Sequence, residues 1–178
     1  PLQRMLQERN LPVVLVDSYT NSDIYDAVVS DNFGGAYQAV NYLVMRGHRH
    51  IGIVGSGPNA YPSIRERREG YLKALSDSGI ATTYCADCVS ANDEPVGASR
   101  ALLLQHPEVT ALFTASDSVA IAVMRAAQSM GRRLPADLSI VSFDDIDTAQ
   151  YLTPALTTMR VDKVGMGRMA VQLLINRL

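Results

Sequence analysis

No surplus of positive charge runs through this sequence. Its 178 residues hold 16 lysines and arginines against 18 aspartates and glutamates, a formal charge of −2 with a pI near 5.9. A surface that coats nucleic acid unaided needs a basic excess to displace counterions from phosphates, so that class is excluded for this stretch. Long apolar runs are missing too. None approaches the roughly 20 residues that cross a bilayer, and Pro1 to Asn10 lack the basic-then-apolar layout of a secretion signal. Internal repeats, low-complexity tracts and long linkers are also wanting. The chain opens on Pro1 rather than methionine, so a fragment or a processed product is expected, and what stood upstream could hold a whole domain.

Catalytic signatures are equally scarce. The chain has no G-x-S-x-G elbow, no P-loop lysine, no G-x-G-x-x-G opening a helix and no H-E-x-x-H. Gly55-Ser56-Gly57 follows an apolar run, but Pro58 comes next and no lysine does. The two cysteines, Cys85 and Cys88, form a C-x-x-C that could mean a redox dithiol or half a zinc site. Zinc needs about four ligands, and His48, His50 and His106 are not spaced to supply the rest. A redox pair would open a helix, where the dipole lowers the thiol pKa; this segment reads as a strand leading into a loop. The cysteines are read as structural. Neither catalytic residue, metal nor cofactor is expected.

What the sequence does hold is 47% hydrophobic residues, enough to offset chain entropy and fill a core. They alternate between two patterns. Short β-branched or aromatic runs read as buried strands at Pro12–Val16, Ala27–Ser30, Ile51–Val54, Thr110–Thr114 and Ser139–Phe143, with weaker candidates at Tyr84–Val89 and Leu156–Arg160. Between them lie helical stripes. One runs Phe33, Ala36, Tyr37, Val40, Leu43 and Val44, capped by Asp31 and ended by Gly47. Others run Ile64, Tyr71, Leu72, Leu75; Ala98 to His106; Val119, Val123, Met124, Ala127, Met130; and Val164, Val171, Leu174, Ile175, Leu178. Strand and helix alternating through short connections predicts an α/β, doubly wound parallel sheet. Ligands of such sheets bind beyond the carboxyl ends of the strands.

Those ends are polar. Asp17 follows the first strand, Asp31 the second, Asn92 the loop after Val89, Ser116-Asp117 the run ending at Thr114, and Asp144-Asp145 the run ending at Phe143. Each could simply cap the next helix. Arg67 is harder to dismiss, because with Arg68 it takes the inward row of its helix at the offsets that would complete Ile64, Tyr71, Leu72 and Leu75. A buried unpaired cation there is costly, so a carboxylate or a ligand should meet Arg67, while Arg68 can snorkel at the edge. An arginine fork facing carboxylates suits a polyhydroxylated ligand: carboxylates accept from hydroxyls and the guanidinium donates.

Three collinear blocks go further. Arg46-Gly-His-Arg-His-Ile-Gly52, Arg67-Arg-Glu-Gly-Tyr71 and Leu134-Pro-Ala-Asp-Leu-Ser-Ile-Val-Ser-Phe-Asp-Asp145, with Leu152-Thr-Pro-Ala-Leu-Thr-Thr158 behind the last, resemble the effector-binding core of the lactose/galactose repressor (LacI/GalR) family of bacterial transcription regulators. The resemblance spans essentially the whole chain. It implies a periplasmic-binding-protein-like fold of two lobes with a ligand cleft between them. Residues 31–160 would form the C-terminal lobe, and 1–30 and 161–178 parts of the N-terminal lobe. It further implies a cytoplasmic homodimer that binds a small-molecule effector and reaches operator DNA through a headpiece outside this chain. The effector-binding residues it implies are Asp17, Asp31, Arg67, Asn92, Asp117 and Asp144. This chain departs from the family pattern at Ser142, where glycine is usual, at Ser116, where asparagine is, and at Asn92, where an aromatic often stacks on the ligand. Losing that ring tilts the expectation from a purine towards a sugar. An exported sugar-binding protein of a transport system, on the same fold, is the alternative reading.

Overall fold

The computed structural model describes residues 11–20, 24–57, 60–87 and 95–178. In chain order the elements are β1 (Val14–Val16), β2 (Asp26–Val28), α1 (Asn32–Met45), β3 (Ile51–Val54), α2 (Pro62–Asp77), β4 (Tyr84–Ala86), α3 (Pro95–Gln105), β5 (Ala111–Thr114), α4 (Asp117–Ser129), β6 (Ser139–Asp144), a 3-10 turn (Asp147–Tyr151), β7 (Thr157–Arg160) and α5 (Lys163–Ile175). The chain divides into two compact units, Pro1–Ser30 with Asp162–Leu178, and Asp31–Val161.

The larger unit is built on a five-stranded, wholly parallel sheet in the order β4-β3-β5-β6-β7. Strict alternation sends neighbouring residues to opposite faces. Ile51, Ile53, Phe113, Val141 and Phe143 meet α1 and α2 through Val40, Leu43, Tyr71 and Leu75. Val54 and Leu112 meet α3 and α4 through Leu102, Leu103, Val119 and Val123. Both faces are covered, which is why β3 and β5 read as unbroken apolar runs. Each of these large side chains contributes about 1.5–3 kcal/mol on burial.

The fold class matches the expectation from pattern, and four local readings need correcting. The second strand is Asp26–Val28 rather than 27–30. The helix expected from Ala98 starts earlier, at Pro95, where a missing N–H costs nothing. Phe33 and Leu72 leave the inward rows assigned to them, at 42% and 38% exposed. At Phe33 the cause is Gly35: a Cβ there would lie 2.7 Å from the Phe143 ring. The first turn of α1 therefore meets the sheet through a glycine, Phe143 fills the space, and Phe33 points outward. In α2 the inner row runs Arg67, Gly70, Tyr71, Ala74 and Leu75, one position away from Leu72.

In the smaller unit β1 and β2 pair in parallel, and α5 packs with them through the Ser30 hydroxyl on Met166 Sδ (3.5 Å) and Arg177 on Asp26. The stripe expected to face inward on α5 stays exposed at Val164, Val171, Ile175 and Leu178. Among the described residues no helix is long and apolar enough to cross a membrane.

Candidate functional site at the carboxyl ends of the sheet

Arg67 stands in the second turn of α2, and its side chain is only 3% exposed. Three groups hold it. Nε donates to Asn32 Oδ1 (3.0 Å), and Nη1 donates to the Ala115 carbonyl (2.6 Å) and to Asp144 Oδ1 (2.9 Å). The guanidinium carbon sits 3.9 Å from the centroid of the Phe143 ring, a stacked cation–π contact in a desolvated place. The cation on the inward row is thus met by a carboxylate, as the helix pattern required. Among the described residues Nη2 has no protein partner, so one edge of the planar fork stays open.

Each partner is placed by a different element. Asn32, 2% exposed, is the first residue of α1 and also donates through Nδ2 to Glu66 Oε2 (3.2 Å). Ala115 ends the β5 run. Phe143 and Asp144 close β6, and there the backbone turns left-handed twice in succession, with φ 118° at Asp144 and 50° at Asp145. A non-glycine residue in that region carries strain that surrounding bonds must hold, a condition that clusters at ligand sites. The bend leaves the Asp144 side chain 28% exposed beside the buried arginine.

The six residues carried over by resemblance fall into different places. Arg67 and Asp144 come together. Asp117 does not present its carboxylate to them: it is wholly buried, with Oδ2 accepting from the Ile146 N–H (2.9 Å) and Oδ1 from the Thr158 hydroxyl (2.6 Å). The expected convergence of Arg67, Asp117 and Asp144 therefore reduces to a pair, with Asp117 fastened behind it. Asp31 caps α1, its Oδ1 accepting from Gly34 N–H (2.7 Å), and Ser116 caps α4 by accepting from Val119 N–H. Asp17 lies in the smaller unit, with φ 53° and its N–H on the Val28 carbonyl. Asn92 and Cys88 lie outside the described residues.

Arg68, expected to snorkel, is ion-paired instead. Its Nη1 meets Asp87 Oδ1 (2.6 Å) and the Ser56 carbonyl (2.8 Å). Burial pushes the neighbouring Cys85 thiol up, with the Arg68 charge opposing, which suits an inert cysteine. Sequence reasoning misses Asn32, Phe143 and Thr158. Asn32 follows the obvious cap, and nothing in its own spacing distinguishes it. Among the described residues no grouping of three or more histidines, cysteines or carboxylates could hold a metal ion.

The opposite end of the same sheet gathers the three histidines. His48 Nδ1 lies 2.9 Å from Thr110 Oγ1 and its Nε2 lies 3.1 Å from Ser139 Oγ, tying the starts of β5 and β6 to the turn after α1. His50 Nδ1 meets the Tyr84 hydroxyl (2.9 Å), and the Tyr84 ring lies edge-on to His106 at 4.9 Å between centroids.

Comparison with known proteins supports the fold. Residues 40–178 match the family model of the periplasmic binding protein-like domain. The HTH-type transcriptional repressor PurR of Escherichia coli O1:K1 is 36% identical over 183 residues, an alignment covering all of this chain and 53% of that protein. The chain thus spans about half the length of the curated relatives it matches. Among solved structures, the transcriptional regulator CelR in complex with cellobiose superposes with a TM-score of 0.88 at 33% identity, over 99% of this chain and 55% of that one. A LacI family transcriptional regulator from Enterococcus faecium with bound ribose gives 0.87 at 27% identity, over 99% and 65%.

Proposed function

Because the chain belongs to the LacI/GalR family of effector-binding cores, on the periplasmic-binding-protein-like fold, we propose that it senses a small sugar at the carboxyl ends of β5 and β6 for a DNA-binding transcriptional regulator. The observation that carries this reading is the open Nη2 edge of Arg67. The rest of that guanidinium is held by Asn32, Ala115, Asp144 and Phe143, so the free edge is a pre-aimed donor beside a partly exposed carboxylate. Sugar hydroxyls donate and accept in turn, and a donor next to an acceptor suits them.

The sugar ligands of the two solved relatives support the substrate class, and the regulators among the relatives support gene regulation over transport. In this reading residues 31–160 are the C-terminal lobe and 1–30 with 161–178 contribute to the N-terminal lobe. Asp17, Asp31 and Asn92 are further candidate contacts. The whole protein acts in the cytoplasm as a homodimer, without catalysis, and reaches operator DNA through a headpiece outside this chain. Effector and operator affinities are then reciprocally linked, because each ligand biases the same conformational equilibrium.

A thermal-shift panel on the full-length protein tests the ligand class, since a binder raises the melting temperature with concentration. D-ribose, D-glucose, cellobiose, guanine and hypoxanthine are the probes. A shift with a sugar and none with the bases is expected; a shift with a base alone would overturn the assignment.

A further inference from the structure

We infer that Asp117 is a positioning residue for the effector site, holding the strained bend that aims Asp144 at Arg67, rather than a residue that touches effector. This rests on the effector-site reading above and adds a part to it.

Asp117 is engaged wholly within the protein. It opens α4, but the capping bond of that helix is made by Ser116, so capping does not account for Asp117. Both of its oxygens go elsewhere. Oδ2 accepts from the N–H of Ile146, the residue just after the two left-handed aspartates, and Oδ1 accepts from the Thr158 hydroxyl on β7. Thr158 Oγ1 in turn accepts from the Asp145 N–H at 3.4 Å. One carboxylate and one hydroxyl therefore satisfy the backbone donors that follow the φ 118° and φ 50° positions.

That pair of left-handed residues is unfavourable by itself and relaxes unless held. Relaxation would turn the Asp144 side chain, and the Asp144 Oδ1 bond to Arg67 Nη1 is one of the three that fix the fork. Asp117 thus acts on the open edge of Arg67 through Thr158, the 145–146 backbone and Asp144 in sequence. A polar group buried to this degree needs hydrogen-bond partners, and both oxygens find them within the protein.

Two near-isosteric pairs test the assignment. Asp117→Asn leaves one accepting oxygen where the Ile146 N–H and the Thr158 O–H together use two, so it strands a buried donor. Thr158→Val removes the hydroxyl at constant shape, and Thr158→Ser restores it. Each full-length variant is read in two ways: by the Arg67 Nε–H resonance in the unliganded protein, which reports the fork itself, and by titration with the panel sugars D-ribose, D-glucose and cellobiose. Thr158→Val is expected to shift or broaden the Arg67 signal and weaken sugar binding by about tenfold, the scale of one well-made hydrogen bond. Thr158→Ser should restore both, and Asp117→Asn should shift the Arg67 signal and weaken sugar binding together.

An unchanged Arg67 signal in Thr158→Val, whatever the melting temperature does, overturns the inference and leaves Asp117 a stabilising residue only. An Asp117→Asn variant with a normal Arg67 signal but lost sugar binding overturns it in favour of direct contact. If the wild type binds none of the three sugars, the ligand class fails, and the Arg67 signal still decides the positioning role.

Discussion

The two ends of the five-stranded sheet carry polar clusters of opposite character. At the amino ends, His48 bridges two hydroxyls, His50 meets Tyr84 and His106 meets Glu108, so side chains close on one another across strand starts. At the carboxyl ends a guanidinium is held on three sides with its fourth edge open, next to two consecutive left-handed aspartates. The first end ties strand starts to one another. The second is kept strained and unfinished. Substitutions at the first should change stability alone, and substitutions at the second should change ligand affinity as well.

The largest effect is expected at Arg67. Arg67→Ala should weaken effector binding by roughly 10- to 100-fold, the loss of a charge-assisted hydrogen bond of about 1.5–3 kcal/mol. It should also lower the melting temperature, because it strands the Asn32 Oδ1 and the Ala115 carbonyl, at about 1–3 kcal/mol for each buried group left unpaired. The enclosure of Arg67, only 3% exposed, is what ties the two losses together. Arg67→Lys should not restore binding, since an ammonium cannot reproduce the planar fork. Titration calorimetry beside thermal unfolding separates the two losses.

Gly35→Ala comes next. The new Cβ would press on the Phe143 ring at 2.7 Å, and forced overpacking of this kind costs about 1–3 kcal/mol. Because that ring is the floor beneath Arg67, affinity should fall along with stability. A Gly35→Ala variant with normal affinity would show that the floor is not needed.

At the amino ends the expected signal is pH dependence. Burial holds the His48 pKa below the usual 6.5, so the folded state resists protonation more than the unfolded chain does. Its contribution is complete above pH 6.5 and is lost as pH falls through 6.5 towards the lower folded value. Melting temperature should drop over that window, His48→Gln should remove that part of the drop, and effector affinity at neutral pH should not move. The smallest effect belongs to neither end. Arg133 holds the exposed Asp137 carboxyl down to about 2. Arg133→Gln should raise that titration in an NMR experiment and leave melting and binding unchanged.

Much of the larger unit is legible because a parallel sheet covered on both faces writes itself as unbroken apolar runs, as in Ile51–Val54 and Ala111–Thr114. Arg67 is legible for the same reason: it breaks an apolar row. Asp117 stands at the expected strand end but with other partners, since the direction of a side chain depends on the bend at 144–145, which no periodicity records. Phe33 misleads because its stripe is sound as far as helix geometry goes, while Gly35 decides which residue faces the sheet. Asn32 is hidden beside the Asp31 cap.

The most direct test is the crystal structure of the full-length protein with the panel sugar that gives the largest thermal shift. A sugar oxygen within hydrogen-bond distance of Arg67 Nη2, about 2.7–3.2 Å, with the Asp144–Arg67 bond intact, is the predicted result. A sugar bound elsewhere while that edge of Arg67 stays unbonded would contradict the account.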